Sequence, residues 1–359
     1  MTAISRMMST FQSGVSQRQL SQNLSAELAR TSREIATGRV SDSYAALGRG
    51  SAEAIAVRME AERNEGFLGA NKLLSGRLEV TSDALSGIRA AGQGVLDMAI
   101  SANDGRAADI GALRTLAAAA IDSVANAAGI SLGGTFLMSG TAGDQRPLRG
   151  WAEAAADTGQ SPRDVIEGIT GGTLVDAADA ADKADRIAAV FSGTDPVRSN
   201  NFEGAFYAGT PALAGDGSAS ERVSTRVAGD TVLAHGVQAN DPGVREILRG
   251  LSMLASVDPA TVPDDAWSEW IGTAVKALSS GVDQVQSAEV KLGLQRAQLD
   301  DVITRQQDRV TLFATELDAL EGVDGYEAAT RLTQIQTQLE ASYAVTARLS
   351  RMSFLNYMN

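Results

Sequence analysis

From Phe67 onward the sequence places Phe67, Asn71, Leu74, Leu78, Thr81, Leu85, Ile88, Gly92, Val95 and Ala99 at alternating steps of four and three. Most of these residues are apolar, and that spacing keeps one stripe of a helix turned toward a partner helix over many turns. The pattern returns in Leu299, Ile303, Gln306, Val310, Phe313, Leu317 and Leu320, and again in Ala328, Leu332, Ile335, Leu339, Ser342, Thr346 and Leu349. A weaker version with a polar middle opens the chain, in Ile4, Met8, Phe11 and Val15, then Leu24, Leu28 and Ile35. Neither end can bury its stripe alone, so the N- and C-terminal helices must run side by side.

The stops are equally legible. Gly38 followed by Ser41-Asp42 ends the first helix, and Ser51 is placed to cap the second. Asn103-Asp104-Gly105 closes that one, and a short helix over roughly 107–128 follows. Pro263-Asp264-Asp265 opens a helix with no stop before Gly322, about 58 residues or roughly 85 Å at the helical rise. The segment Gly322–Gly325 then sets off a C-terminal helix.

Between about 135 and 262 Gly, Asp, Thr and Pro become frequent. Strand-like pieces fall at Thr135–Met138, Thr173–Val175, Val223–Val227 and Thr231–Ala234, with helical patterns at Asp176–Phe191 and Pro242–Val257. The expected fold is mainly α with an α+β insertion: a long antiparallel helical bundle or coiled coil formed by the N- and C-terminal helices, carrying a compact β-containing outer domain. The expected domains are an N-terminal assembly helix over 1–40, a long-helix bundle over 41–134 and 262–321, an outer domain over 135–261, and a C-terminal assembly helix over 322–359.

Composition narrows the function. Apolar residues make up 44% of the chain but aromatics only 4%, so Ala and Leu supply most of the apolar surface, which suits slender helical packing. A net charge of −13 argues against nucleic acid, which requires clustered Lys and Arg. Residues 1–40 carry five Arg against two Glu and residues 322–359 three of each sign, so the negative charge lies in the middle. Without cysteine there is no disulfide or thiolate chemistry, and no apolar run approaches the roughly 18 residues of a membrane span. Residues 1–26 are rich in Ser and Gln, hold Arg6 and Arg18, and contain no acid. An uncleaved export signal or a solvated helix start would both look like this.

Candidate chemistry is sparse. His235 is the only histidine, which leaves little for a metal site or a nucleophile–base pair. Asp176, Asp179, Asp182 and Asp185 recur every three residues but lack the glycine and closing glutamate of a calcium loop, and read as a solvated helix face. Gly133-Gly134 and Gly171-Gly172 complete no phosphate-binding pattern. No catalytic residue, cofactor or metal is expected.

The tails are more informative. From Thr330 to Arg351 the positions off the stripe are mostly Thr, Gln, Ser and Ala, and Ser13 to Ser25 has the same character. Such a helix suits burial among other polar helices, where hydrogen bonds are exchanged but charges are costly. An ordinary amphipathic helix is the plainer reading.

These ends resemble the flagellin superfamily. The run Leu28 to Asp42 looks like the family's helix entering its Ser-Thr-Gly turn, with Thr37, Gly38, Arg39, Ser41 and Asp42 matching and one residue fewer before the serine. Where relatives continue with an acid and a proline, this chain has Ser43 and Tyr44. Thr135-Phe-Leu-Met-Ser-Gly140, Leu292-Gly-Leu-Gln-Arg-Ala-Gln-Leu299 and Asp324, Tyr326, Glu327 and Ala328 are similar to further family segments. The ending Leu349-Ser-Arg-Met-Ser-Phe-Leu-Asn-Tyr-Met358 resembles that of the hook-filament junction proteins within the superfamily (flagellar hook-associated protein 3). The likeness covers about 1–140 and 260–359.

The resemblance implies a non-enzymatic structural subunit, an adaptor ring that joins a preceding hook-associated protein to the flagellin filament and serves motility. It implies export unfolded through the flagellar type III channel, a cytoplasmic chaperone on the C-terminal helix, and a place in the extracellular flagellum. Partners would be other copies of the chain in a ring, the hook-associated protein and flagellin, with no nucleic acid and no membrane. The assembly interface would use Ile4, Met8, Phe11, Val15, Leu24, Leu28, Ile35, Leu332, Ile335, Leu339, Leu349, Met352 and Leu355. The family-motif turn would use Gly38, Arg39, Ser41 and Asp42. Residues 1–40 and about 322–359 are expected to be disordered in the monomer and helical on assembly. Filament flagellin is the alternative in the same class, and a coiled-coil signalling or receptor-like protein the alternative in another.

Overall fold

The structure, a computed structural model, describes the backbone of residues 2–103 and 111–357 and the side chains of residues 12, 14–48, 50–103 and 111–348. In chain order the helices and strands are α1 (Thr2–Thr37), α2 (Ser43–Leu47), α3 (Ser51–Asn103), α4 (Gly111–Ala128), β1 (Ser131–Leu132), β2 (Thr135–Phe136), α5 (Pro162–Thr170), α6 (Ala177–Ser192) and α7 (Phe202–Ala205). Then come β3 (Ser224–Arg226), β4 (Val232–Ala234), α8 (Pro242–Ser256), α9 (Asp264–Glu321) and α10 (Gly325–Tyr357). They form two units, residues 67–304 and the two chain ends up to 66 and from 305, with the divisions falling inside α3 and α9. The fold is the helical bundle with a small β part that the periodicity implies.

In the unit 67–304 the long stripe does what its spacing requires. Asn71, Leu74, Leu78, Thr81, Leu85, Ile88, Gly92, Val95 and Ala99 are all buried. Helix α4 buries Leu113, Ala117, Ala120, Ile121, Val124 and Ala128 on one face and packs along α8. Helix α8 is buried from Gly243 to Ser256 apart from Arg245, Glu246 and Arg249. It comes close enough to α9 that a methyl group at Gly281 would sit 2.6 Å from the Ile247 amide nitrogen. Trp270 of α9 is fully buried and donates its indole N–H to the Met253 carbonyl at 3.0 Å. The few aromatics are concentrated: Phe191, Phe202 and Phe206 have ring centroids 4.9 to 5.5 Å apart.

Short elements close this unit. The strands make two antiparallel pairs, β1 with β2 and β3 with β4, the second in the register Ser224 opposite Ala234 and Arg226 opposite Val232. Gly133 and Gly134, at φ +61° and +81°, form the two-residue turn of the first hairpin, a geometry that requires positive φ at both positions. Thr173–Val175 is not a strand. It is the connector between α5, which Gly171 ends in the left-handed conformation, and α6, which Asp176 caps through the Asp179 amide. The sequence reading passed over α5, although Ser161-Pro162-Arg163-Asp164 forms a complete capping box at its start.

In the other unit α1 and α10 lie antiparallel and packed along one another. Both α1 and α10 are helical, and each supplies an apolar partner to the other. The break after Thr37 is where Gly38 places it, at φ +70°. Ser51 does not cap α3: it is itself helical, and its hydroxyl donates to the Gly48 carbonyl. The capping serves α2 instead, where the Asp42 carboxylate accepts from the Ala45 amide at 3.0 Å. The Asp104-Gly105 stop and the first residues of the 107–128 helix lie outside the described residues.

Candidate functional site: the terminal helix pair

The pair α1/α10 is registered by polar contacts midway along it and at one end. Midway along the helices the Ser21 and Ser342 hydroxyls are 2.9 Å apart and Gln17 donates to Ser342 at 3.2 Å. At the one end the Val323 amide donates to the Gly38 carbonyl at 3.0 Å. Leu24, Thr31, Ala328, Ile335 and Ser342 are buried, and Leu28, Leu332 and Leu339 are half-buried. Five residues of the expected interface are thus engaged within the chain, whereas Val15 and Ile35 stay exposed. Ile4, Met8, Phe11, Leu349, Met352 and Leu355 have side chains outside the described residues.

The exposed surface of the pair is unusual for surface helices. Arg18 is the only charge from Ser13 to Ala26, and Glu340 the only one from Thr333 to Ala347. The same stretches expose Val15 (41%), Leu20 (48%), Tyr343 (54%) and Val345. Leu20, Tyr343 and Val345 lie off the 4-3 stripe, so the sequence reading missed them. The signal for them was the shortage of charge around them. In water such a surface is usually laced with Glu and Lys.

The motif residues meet at one place. Arg39 pairs with Gly322 in an antiparallel bridge, and the Val40 amide donates to the Glu321 carbonyl at 2.9 Å. Ser41 ties back to α1, its amide donating to the Glu34 carboxylate and its hydroxyl to the Arg30 carbonyl. Beneath them Glu321 accepts from Arg58 at 2.6 Å and from the Ser43 hydroxyl at 2.9 Å. Neither Glu321 nor Arg58 was a sequence candidate, because only the turn beside them carries a motif.

Chemistry elsewhere is modest. A cavity of about 490 Å³ in the unit 67–304 is lined by His235, Arg222, Asp241, Gln284, Lys291 and neighbours, with Arg222 and Asp241 paired at 2.6 Å. The His235 Nε2 shares a hydrogen bond with the Thr225 hydroxyl at 2.9 Å. Burial, helped by Arg77, holds the imidazole below its ordinary value of 6.5. As pH falls the unfolded chain therefore takes up that proton first. The stability contributed by neutral His235 is complete above about 6.5 and is lost as pH drops below it. His235→Gln is expected to flatten the fall in melting temperature between about pH 7.5 and pH 5.5, and an unchanged slope in thermal melts would refute the assignment.

Asp176 and Asp179 are capping residues; the Asp179 carboxyl is held low by Lys183 at 2.8 Å and by the Val175 amide. Among the described residues no group of three His or acidic side chains could hold a metal, and no helix is long and apolar enough to cross a membrane.

Comparison with known proteins places this architecture. Residues 275–358 match the family described as the bacterial flagellin C-terminal helical region, which takes in part of α9 and all of α10. The fold is similar to that of a chain from Vibrio parahaemolyticus provisionally described as a flagellar hook-associated protein, at a TM-score of 0.50 and 12% identity, covering 76% of this chain and 97% of that one. No curated protein matches the sequence. The flagellin-superfamily likeness of the termini is thus met by a family match at the C-terminal end and by the fold.

Proposed function

We propose that a chain with a flagellin C-terminal region and this fold is a secreted structural subunit of the bacterial flagellum, acting as the adaptor ring at the hook-filament junction. The observation that carries the reading is the exposed surface of the α1/α10 pair, of which α10 lies within the flagellin-matching region. It is nearly uncharged and bears exposed Val15, Leu20, Tyr343 and Val345. A helix pair of that composition fits a site packed among like helices, where its hydroxyls and amides find partners and few charges must be desolvated.

On this reading the pair lines the inner layer of a ring made of further copies, and Ile4, Met8, Phe11, Val15, Ile35, Leu349, Met352 and Leu355 face neighbouring chains. Leu24, Leu28, Leu332, Ile335 and Leu339 hold the pair that presents them. One side of the ring meets the preceding hook-associated protein and the other nucleates flagellin. The subunit reaches the extracellular flagellum unfolded through the type III channel, with residues 1–40 as its signal and a cytoplasmic chaperone on α10. The Leu349–Met358 ending and the likeness to a chain described as a hook-associated protein support the junction over the filament.

Filament flagellin is the second reading, favoured by the family that residues 275–358 match. Electron microscopy of cells lacking the chain distinguishes the two. Hooks without filaments, with flagellin lost to the medium, is the expected picture. Hooks carrying normal filaments would refute a junction role, and a copy number per flagellum far above that of a single ring would favour flagellin.

A further inference from the structure

Both helical arms of the chain ends break at the same level. Residues 38–42 interrupt the path from α1 to α2, residues 322–324 interrupt the path from α9 to α10, and the two breaks are zipped together. The zip itself is slight. It consists of the Arg39/Gly322 bridge with one hydrogen bond on each side, Val40 to Glu321 and Val323 to Gly38, and Gly38, Arg39 and Ser41 are exposed. A two-stranded ladder of that length does not support itself in water. Something else must hold it.

Glu321 is placed to do so. Its side chain is only 2% exposed although it is a carboxylate. It also stands in the last turn of α9, where the unsatisfied carbonyls make a negative charge unfavourable. A buried anion in such a place persists only with partners. Arg58 of α3 donates to both of its oxygens, at 2.7 and 2.6 Å, and Ser43 of α2 donates at 2.9 Å. The same residue's backbone carbonyl receives the Val40 amide. One residue therefore ties the end of α9 to α2, to α3 and to the linker that follows α1.

We propose that Glu321 is a pin that locks the two helix breaks into one joint. While Arg58 neutralises it, the carboxylate stays inside, the Gly322–Val323 backbone stays paired with Gly38–Val40, and α1 and α10 are delivered to each other in a fixed register. Without the guanidinium the carboxylate is left with one hydroxyl donor, moves to water, and draws the backbone of Gly322 and Val323 away from its partners. The joint thus has two states, pinned and open, and opening it releases both terminal helices together. Gly322 serves the same closure: a side-chain carbon there would run into the Asp318 carbonyl oxygen. The inference does not depend on the flagellar reading.

Amide hydrogen exchange on the full chain tests it, with Val40 and Val323 as reporters and the amides of α4 and α8 as controls. Arg58→Ala is expected to speed exchange at both reporters by about tenfold or more while leaving the controls unchanged. Gly322→Ala, which touches neither charge, is expected to open the same two amides. Glu321→Ala made in the Arg58→Ala background should cost nothing further, because it removes the stranded charge. Unchanged reporters in Arg58→Ala, equal loosening of α4 and α8, or additive effects of Arg58→Ala and Glu321→Ala would each overturn the pin.

Discussion

Gly281→Val is expected to destabilise the unit 67–304 by about 3 kcal/mol, lowering its melting temperature by about 6–12 °C. Helix α8 meets α9 through glycines on both sides. A methyl group at Gly281 would meet the Ile247 amide and the Gly243 carbonyl, one at Gly243 the Val285 amide at 2.9 Å, and one at Gly250 the Ala274 carbonyl at 2.9 Å. These obstacles are backbone atoms, which cannot step aside as a side chain can, so the helices must separate. Separation would cost Leu278, Trp270 and Leu251 their burial as well. Gly272, on the same helix, has nothing within 4 Å of the corresponding position. Gly272→Ala should therefore stabilise the unit by about 0.5–1 kcal/mol through helix propensity alone. Thermal melts of the two variants read this contrast directly. Equal effects would mean that glycine matters in α9 only for its flexibility, and the close approach would be wrong.

That contact also marks where sequence reading reaches its limit. The stripes of α3, α9 and α10 were legible because a repeat at 4-3 spacing has only one use: the first is buried from Asn71 to Ala99, and the later ones bury Leu299, Gln306, Leu317, Ala328, Ile335 and Ser342. Helices α6 and α8 were legible for the same reason, to within a residue at each end. What escaped was whatever depends on partners distant in sequence. Gly243, Gly250 and Gly281 look like helix-weakening residues until α8 is laid against α9. Helices α2 and α5 are too short for periodicity to announce them, and only their caps betray them.

The candidate site divides along the same line. Gly38 and Asp42 were recognisable because a positive φ and a helix cap have local signatures. Glu321 was not, since nothing nearby in sequence tells a buried carboxylate from a solvated one. The apolar residues of the exposed surface hid for a further reason. Search for a stripe finds the seam a helix already fills, and Leu20, Tyr343 and Val345 are exposed around the rest of the helices.

Leu339→Asp carries this distinction into function, and it is expected to abolish incorporation into the flagellum while leaving residues 67–304 folded. Leu339 is half-buried on the stripe of α10, one step from Ile335 and three residues before the Ser342 contact with Ser21. An aspartate there would put an unpaired carboxylate against α1, at a cost of several kcal/mol if it stayed. The helix pair has little to set against that, since its seam is already polar at Thr31 and Ser342. The pair should therefore part. The elements α4, α5, α6 and α8 lie in the other unit, so the far-ultraviolet spectrum should lose only the helix of α1 and α10. Cells carrying the variant are expected to be non-motile, with the protein released to the medium and its 67–304 unit resistant to protease. Leu73→Asp is the matched control, because Leu73 is among the most exposed leucines and lies in that second unit. Swimming at the normal rate with Leu339→Asp would mean that the terminal pair is not the assembly element, and with it would fall the reading of the chain as a flagellar subunit built on its ends.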